Sequence, residues 1–266
     1  METNSLMMND SRPNIAISYY EDRGNPLKLE LFDRLRSWAD LELLDPEREH
    51  SDLADRGLDL YHMARWRRGG LADLERACEA GIATLNSYRG AARLEDRLER
   101  CKTLRDRGFH VPAFQFGRAE EITLRPPVVV KPRREIVEGS HTFRLVRSAP
   151  IDFEGERFVQ RYVVPRRSYK IFRVGERVRT TRHERPDGKP RAVETRRRFA
   201  ELTDEVADLY DLSVFELDIV VHKNLYVIDV NPVVSLEGVG DAVDIYEECI
   251  RERIRESRSG ESPSRE

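Results

Sequence analysis

The amino-acid sequence predicts an α/β first half and an α+β second half, on three observations. Between residues 14 and 85, short β-branched or aromatic runs alternate with amphipathic helical stretches, as a parallel sheet with crossover helices requires. From residue 127 onward, strand-like runs follow one another with little more than turns between them, which favours antiparallel pairing. The 266 residues suffice for two modest lobes, each with its own core.

Residues 1–12 read as a loose tail, and so do residues 255–266, rich in Ser, Arg and Glu. Residues 14–20 read as a first strand, and residues 26–39 as a helix with Leu27, Leu31, Leu35 and Trp38 on one side. A short strand is expected at 57–61, a helix at 71–80 closed by Gly81, and a strand at 82–85. Residues 87–107 read as one helix with the stripe Leu94, Leu98, Cys101 and Leu104, ended by Gly108 and kept from resuming by Pro112. The run Val128-Val-Val stops on Lys131 and Pro132. Strands are expected at 158–164, 169–174 and 177–181, a helix at 199–210, two strands at 214–221 and 225–230 around His222-Lys-Asn, and a last helix at 242–253.

Composition narrows the function classes. Cys78, Cys101 and Cys249 are widely spaced and odd in number, so they make no complete disulfide framework, and a reducing cytoplasm is the expected compartment. No apolar run approaches the roughly 20 residues that a bilayer needs, so no membrane partner is expected. The net charge of −3 conceals an asymmetry, since residues 125–199 hold 21 Lys and Arg against 9 Asp and Glu. Such a stretch is either a surface laced with ion pairs or a cleft for a polyanion such as nucleotide phosphates, a phosphorylated substrate or RNA.

The strongest chemical signal is the pair of runs Val214-Phe-Glu-Leu-Asp-Ile-Val-Val and Leu225-Tyr-Val-Ile-Asp-Val-Asn-Pro, each of which puts an acid in the middle of an apolar strand. Buried carboxylates need a reason. Alternation puts Asp229 and Asn231 on one face, and a two-residue turn at Lys223-Asn224 places Asp218 opposite Asp229. Facing carboxylates repel unless a cation lies between them, and oxygen donors on a rigid sheet suit Mg²⁺ carried in by phosphates. Lys131 ends its strand where an ammonium can reach a phosphate, and Gly139-Ser140-His141 closes a loop able to fold over a nucleotide. The strand around Gln160 offers backbone groups to an adenine edge. Of the downstream cations Lys170 is the one expected in the cleft; it shares a strand face with Phe172, not Arg173.

These residues resemble the ATP-grasp superfamily over residues 14–253. The pattern of Lys131, Gly-Ser-His141, Val-Gln160, Tyr-Lys170, Leu-Asp218-Ile and Ile-Asp229-Val-Asn231 resembles the inositol trisphosphate 5/6-kinase family, and Leu94-Glu-Asp-Arg97 resembles that family's Leu-Asp-Arg segment. The likeness implies Arg97 and Lys131 on ATP, Gln160 at the adenine hinge, and Asp218, Asp229 and Asn231 on Mg²⁺ or on Mn²⁺ in its place. It also implies His141, Lys170 and Asn231 near a phosphorylated substrate, with Arg65 where the family keeps a substrate-binding lysine, and a catalytic part for Asp229, Lys170 and His141. The stretch 231–249, with Ser-Leu-Glu237-Gly238-Val, resembles instead the RimK-like and glutathione synthase ligases. Asp229 stands where those ligases have Glu, and the loop after Lys131 lacks their glycine-rich run; the inositol kinases' Phe-Pro-Gly is missing after Asn231.

The resemblance implies an N-terminal parallel-sheet α/β domain over 13–90 and an ATP-grasp domain over 91–254 with a lid subdomain at about 116–180, nucleotide lying between two α+β subdomains. The expected activity is Mg-ATP-dependent phosphotransfer. The charge asymmetry tips it toward a kinase for an anionic, inositol-phosphate-like small molecule. A carboxylate–amine ligase working through an acyl phosphate is the alternative, and a non-catalytic nucleotide- or RNA-binding module a third reading.

Overall fold

The computed structural model describes residues 12–21, 25–136, 143–183 and 188–259. β1 (Asn14–Ser18) is apolar on both faces because both are covered. It lies inside a parallel four-stranded sheet of order β2-β1-β3-β4, with β2 (Asp40–Leu44), β3 (Leu60–His62) and β4 (Ala83–Leu85). Ile15 and Ile17 pack with α1 (Pro26–Arg36) and α6 (Ala242–Ser259), while Ala16 and Tyr61 join the core that holds α2 (Arg68–Glu79). α1 begins where Asn25 accepts a hydrogen bond from the Leu27 N–H and Pro26 takes the first helical position.

The single helix expected over 87–107 is two, α3 (Tyr88–Arg93) and α4 (Arg97–Asp106). Asp96 breaks it: its carboxylate accepts from the Leu98 and Glu99 N–H groups, so the chain restarts with a fresh cap instead of running through.

Two antiparallel sheets follow. β5 (Phe114–Gly117), β6 (Val128–Lys131), β7 (Arg144–Val146) and β8 (Arg157–Arg161) form a four-stranded sheet of order β5-β8-β6-β7 over a small core of Val128, Val130, Val146 and Val159. β9 (Arg167–Val174), β10 (Arg177–His183), β11 (Arg191–Val193), β12 (Val214–Val221) and β13 (Leu225–Asn231) form a five-stranded sheet of order β11-β10-β9-β12-β13. Tyr169, Ile171, Leu217 and Ile219 pack on one side of it with Phe199 and Tyr210 of α5 (Arg197–Tyr210). Residues 116–180 are therefore divided between two sheets, since β9 pairs with β12 and not with β5, β6, β7 or β8. α6 continues to Ser259, past the expected end at 253 and into the stretch read as tail. Among the described residues no helix is long and apolar enough to cross a membrane.

One buried asparagine joins the halves. Asn86, with φ of 64°, follows β4 and donates to the Val214 and Pro232 carbonyls at 2.6 and 2.7 Å. Its own oxygen accepts from the Ser213 and Val214 N–H groups at 2.9 and 2.8 Å, so it fixes the start of β12 and the chain just after β13. Removing that amide strands buried backbone groups. Asn86→Ala is expected to lower unfolding free energy by about 2–4 kcal/mol; a loss below about 1 kcal/mol in urea titration would mean the clamp is not needed.

Candidate functional site

The five-stranded sheet turns its second face toward the N-terminal sheet, and alternation decides what that face carries. Asp218 is the direct partner of both Lys170 on β9 and Asp229 on β13, and Glu216 that of Asn231. The expected opposition of the two aspartates is present, by a different route. Three residues, not two, link Val221 to Leu225, and a one-residue irregularity beyond the Asp218 pair restores the register.

Each acid on this face is met by a cation. Lys170 Nζ lies 2.7 Å from Glu216 Oε1 and 3.3 Å from Asp218 Oδ1. Burial works against the ammonium, yet Asp218 and Glu216 outweigh it and hold Lys170 above its ordinary value. Burial pushes the Asp218 carboxyl up to about 6 against the pull of Lys170, with Glu216 and Asp229 adding to the rise. Burial would raise Asp229 too, but Arg100, Lys131 and Arg97 hold it below the usual carboxylate range. Arg100, fully buried on α4, reaches Asp229 Oδ1 at 2.5 Å and Glu135 Oε1 at 2.9 Å, and donates to the Leu94 and Val230 carbonyls.

A cavity of about 410 Å³ opens where the three sheets meet. Its walls include Arg65 from the N-terminal sheet, Lys131 and Arg97 on one flank, and Asp229 and Asn231 from β13. Five of the sequence-predicted residues thus surround one space. Asp218 and Lys170 sit beside it, joined through their ion pairs to Glu216, which does line it. Gln160 does not reach it. That side chain is buried, with its Nε2 turned to Cys101 Sγ at 4.0 Å. Arg97 lines the wall, but its guanidinium is engaged with Glu135 and with the Pro132 and Arg134 carbonyls, so here it holds the segment after β6. His141 falls outside the described residues.

Sequence reasoning missed Arg100, Glu135, Glu216 and Lys28, all buried or nearly so and all at or beside this cavity. Glu216 was legible as a second acid in its apolar strand. Arg100 and Lys28 lie on helices where a charge reads as solvent-facing. Among the described residues no cluster of three or more His, Cys, Asp or Glu side chains comes together to hold a metal.

A parallel α/β sheet and two antiparallel sheets closing on one cavity define the architecture of this chain, which is the ATP-grasp fold. No protein-family model and no curated protein matches its sequence. Among solved structures the chain is similar to the RimK domain ATP-grasp protein of Sphaerobacter thermophilus, at 16% identity and a TM-score of 0.69 over 90% of this chain and 99% of that one. D-alanine–D-alanine ligase of Bacillus anthracis complexed with ATP matches at 14% identity and a TM-score of 0.70, over 95% and 100% of the two chains. The ATP-grasp ligase PsnB complexed with a minimal precursor, Mg and ADP matches at 14% and 0.64, over 94% and 100%. At these identities the likeness is one of fold.

The Arg100 network makes its own prediction. Removing one member of a buried charge set leaves the others uncompensated, at a cost of about 3–5 kcal/mol. Arg100→Met is expected to lose stability of that order in urea titration, and an unchanged midpoint would show that Asp229 and Glu135 need no counter-charge.

Proposed function

We propose that this chain is a Mg-ATP-dependent carboxylate–amine ligase. The observation that favours it over the kinase preferred from sequence is where the basic stretch points. Arg133 pairs with Asp96, Arg173 with Asp204, Arg177 with Glu248 and Arg179 with Asp241. Every one of those acids lies outside residues 125–199, so much of the charge excess is neutralised within the fold and does not call for a polyphosphorylated substrate. The solved structures named above include two ligases and no kinase. With the same arginines paired, the RNA-binding reading loses its support as well.

The residues fit a divalent ion and nucleotide. Asp218 and Asp229 oppose each other across β12 and β13, with Asn231 one pleat further on, and these three would hold Mg²⁺. When bound, the ion neutralises charge on the β- and γ-phosphate oxygens. Lys131, beside Asp229, supplies a cation to the same oxygens. The substrate carboxylate oxygen bonds to the γ-phosphorus as the bond to ADP breaks; an amine then bonds to the carbonyl carbon, phosphate leaves, and the amine nitrogen gives up its proton. The four-stranded sheet of β5 to β8 acts as the lid that keeps water from the acyl phosphate.

Asp229→Asn is expected to abolish ATP turnover in a protein that still folds, and Lys131→Ala to weaken nucleotide binding about tenfold or more. The deciding assay supplies Mg-ATP with separate pools of amino acids, short peptides and inositol phosphates and reads the products by mass spectrometry. A new amide formed with ADP supports the ligase; a new phosphoester refutes it in favour of the kinase.

A further inference from the structure

The N-terminal sheet has the strand order β2-β1-β3-β4, so the connections leaving β1 and β3 run in opposite directions. In open parallel sheets the crevice beyond such a switch point is where ligands bind. Here the chain after β1 brings Tyr19, Asn25 and Lys28 to the cavity, and the chain after β3 brings Arg65 and Trp66. Nothing in the nucleotide chemistry above uses Lys28.

Lys28 is only 2% exposed, and its Nζ has no hydrogen-bond partner. It lies 3.9 Å from the centroid of the Tyr246 ring, which leaves its N–H donors unmatched by any oxygen. The Nε of Arg65 is likewise buried without a partner on the same wall. Lys28 Nζ and Arg65 Nε are thus buried donors without partners in two side chains that line one space, and such donors are expensive unless something completes them. The acids that line the cavity are already engaged: Glu135 by Arg97 and Arg100, Glu216 by Lys170 and Ser235, Asp229 by Arg100. The unsatisfied chemistry of this wall is therefore that of an anion receptor.

We infer that Lys28 and Arg65 form a subsite for the non-reacting carboxylate of the ligase's substrate, seated at the switch point of the N-terminal sheet. A carboxylate fits better than phosphate. The receptor offers one amine and one guanidinium edge, and Glu216, which lines the same cavity from β12, disfavours a second negative charge. The N-terminal end of α1 opens on the same place and favours an anion. The identification of the ligand as a carboxylate rests on the ligase reading.

Binding should be coupled to a proton. Burial pushes Lys28 down to about 7, with Glu216 of β12 opposing the fall. The other groups facing it do not titrate near there. His62 of β3 is pushed down to about 3 by burial and by Lys28, and burial lifts Tyr246 of α6 well above its ordinary value. An arriving carboxylate raises the Lys28 pKa and draws a proton onto it, so affinity falls as pH rises above about 7.

The chain has six lysines, so [ε-¹³C]lysine labelling allows Lys28 to be followed by NMR, with Lys28→Met identifying its signal. Acetate, acetamide and inorganic phosphate serve as probes on the full chain with saturating Mg-ADP. Acetate is expected to raise the Lys28 midpoint by roughly one to three pH units while acetamide leaves it unchanged, and Arg65→Ala should weaken the acetate response severalfold. A shift with phosphate but not acetate, or none with either, overturns the subsite. The mass-spectrometric product assay described above, run separately on the same preparation, tells this failure from that of the ligase reading, since it reads amide against phosphoester without reference to Lys28. Because a structural role for Lys28 is the competing account, melting of Lys28→Met is compared as well. An anion receptor predicts a protein at least as stable as the parent, since the unmatched amine is gone; a marked loss of stability counts against the subsite.

Discussion

The structure depends on carboxylates set in the middle of a sheet, Glu216 buried and Asp218 and Asp229 part-buried. Glu216, Asp218 and Asp229 occupy the hydrogen-bonded heart of β12 and β13, where alternation commits them to one face while Leu217, Ile219 and Val230 fill the core behind. Such a face is stable only if cations come to it from other elements, and they do so from far away in sequence: Lys170 from β9 and Arg100 from α4. Arg100 also donates to the Val230 carbonyl, so the cation that neutralises Asp229 anchors the strand that carries it. Charge balance and strand position are one constraint here.

That constraint explains what the sequence disclosed of the site. An acid inside an apolar run needs only the run to be noticed, so Asp218, Asp229 and Asn231 were legible. Their register was reached for the wrong reason, because the loop is one residue longer than assumed and the irregularity after Asp218 cancels the difference. The compensating cations were not legible. A lysine or arginine on a helix written in charged residues carries no mark of burial, and both Lys28 and Arg100 are among the most buried side chains of the protein.

The same distinction between interior and edge governs the fold. The four strands that the sequence did not reveal, β2, β5, β7 and β11, are all edge strands. An edge needs one ladder of backbone hydrogen bonds and little apolar area, so Asp40–Leu44 can carry charges at two of five positions and Arg144–Val146 at one of three, with all but the last residue of each exposed or part-exposed. Pattern reading finds strands through burial, and it passes over those whose stability comes from the neighbour. The break before α4 was missed differently: Asp96 and Glu99 carry the signal of a helix start, but it lay inside a longer stretch of helical periodicity.

The basic stretch, finally, acts first as a fastener. Arg173 reaches from β9 to α5, Arg177 and Arg179 from β10 to residues in and just before α6, and Arg133 from the segment after β6 to the cap of α4. Each pair joins elements that are neighbours only in the folded chain. Exposed pairs of this kind contribute little stability individually, but they would penalise a docking in which a basic surface met another basic surface. A strongly polarised charge distribution along a sequence thus has an assembly reading that must be set aside before a polyanionic ligand is inferred. Only charges left without partners after folding can speak for a ligand, and the buried unmatched donors of the cavity's lining residues include Lys28 Nζ and Arg65 Nε on the N-terminal wall and Arg97 Nε on the flank, all outside the arginine-rich stretch, which itself brings Lys131 to the cavity.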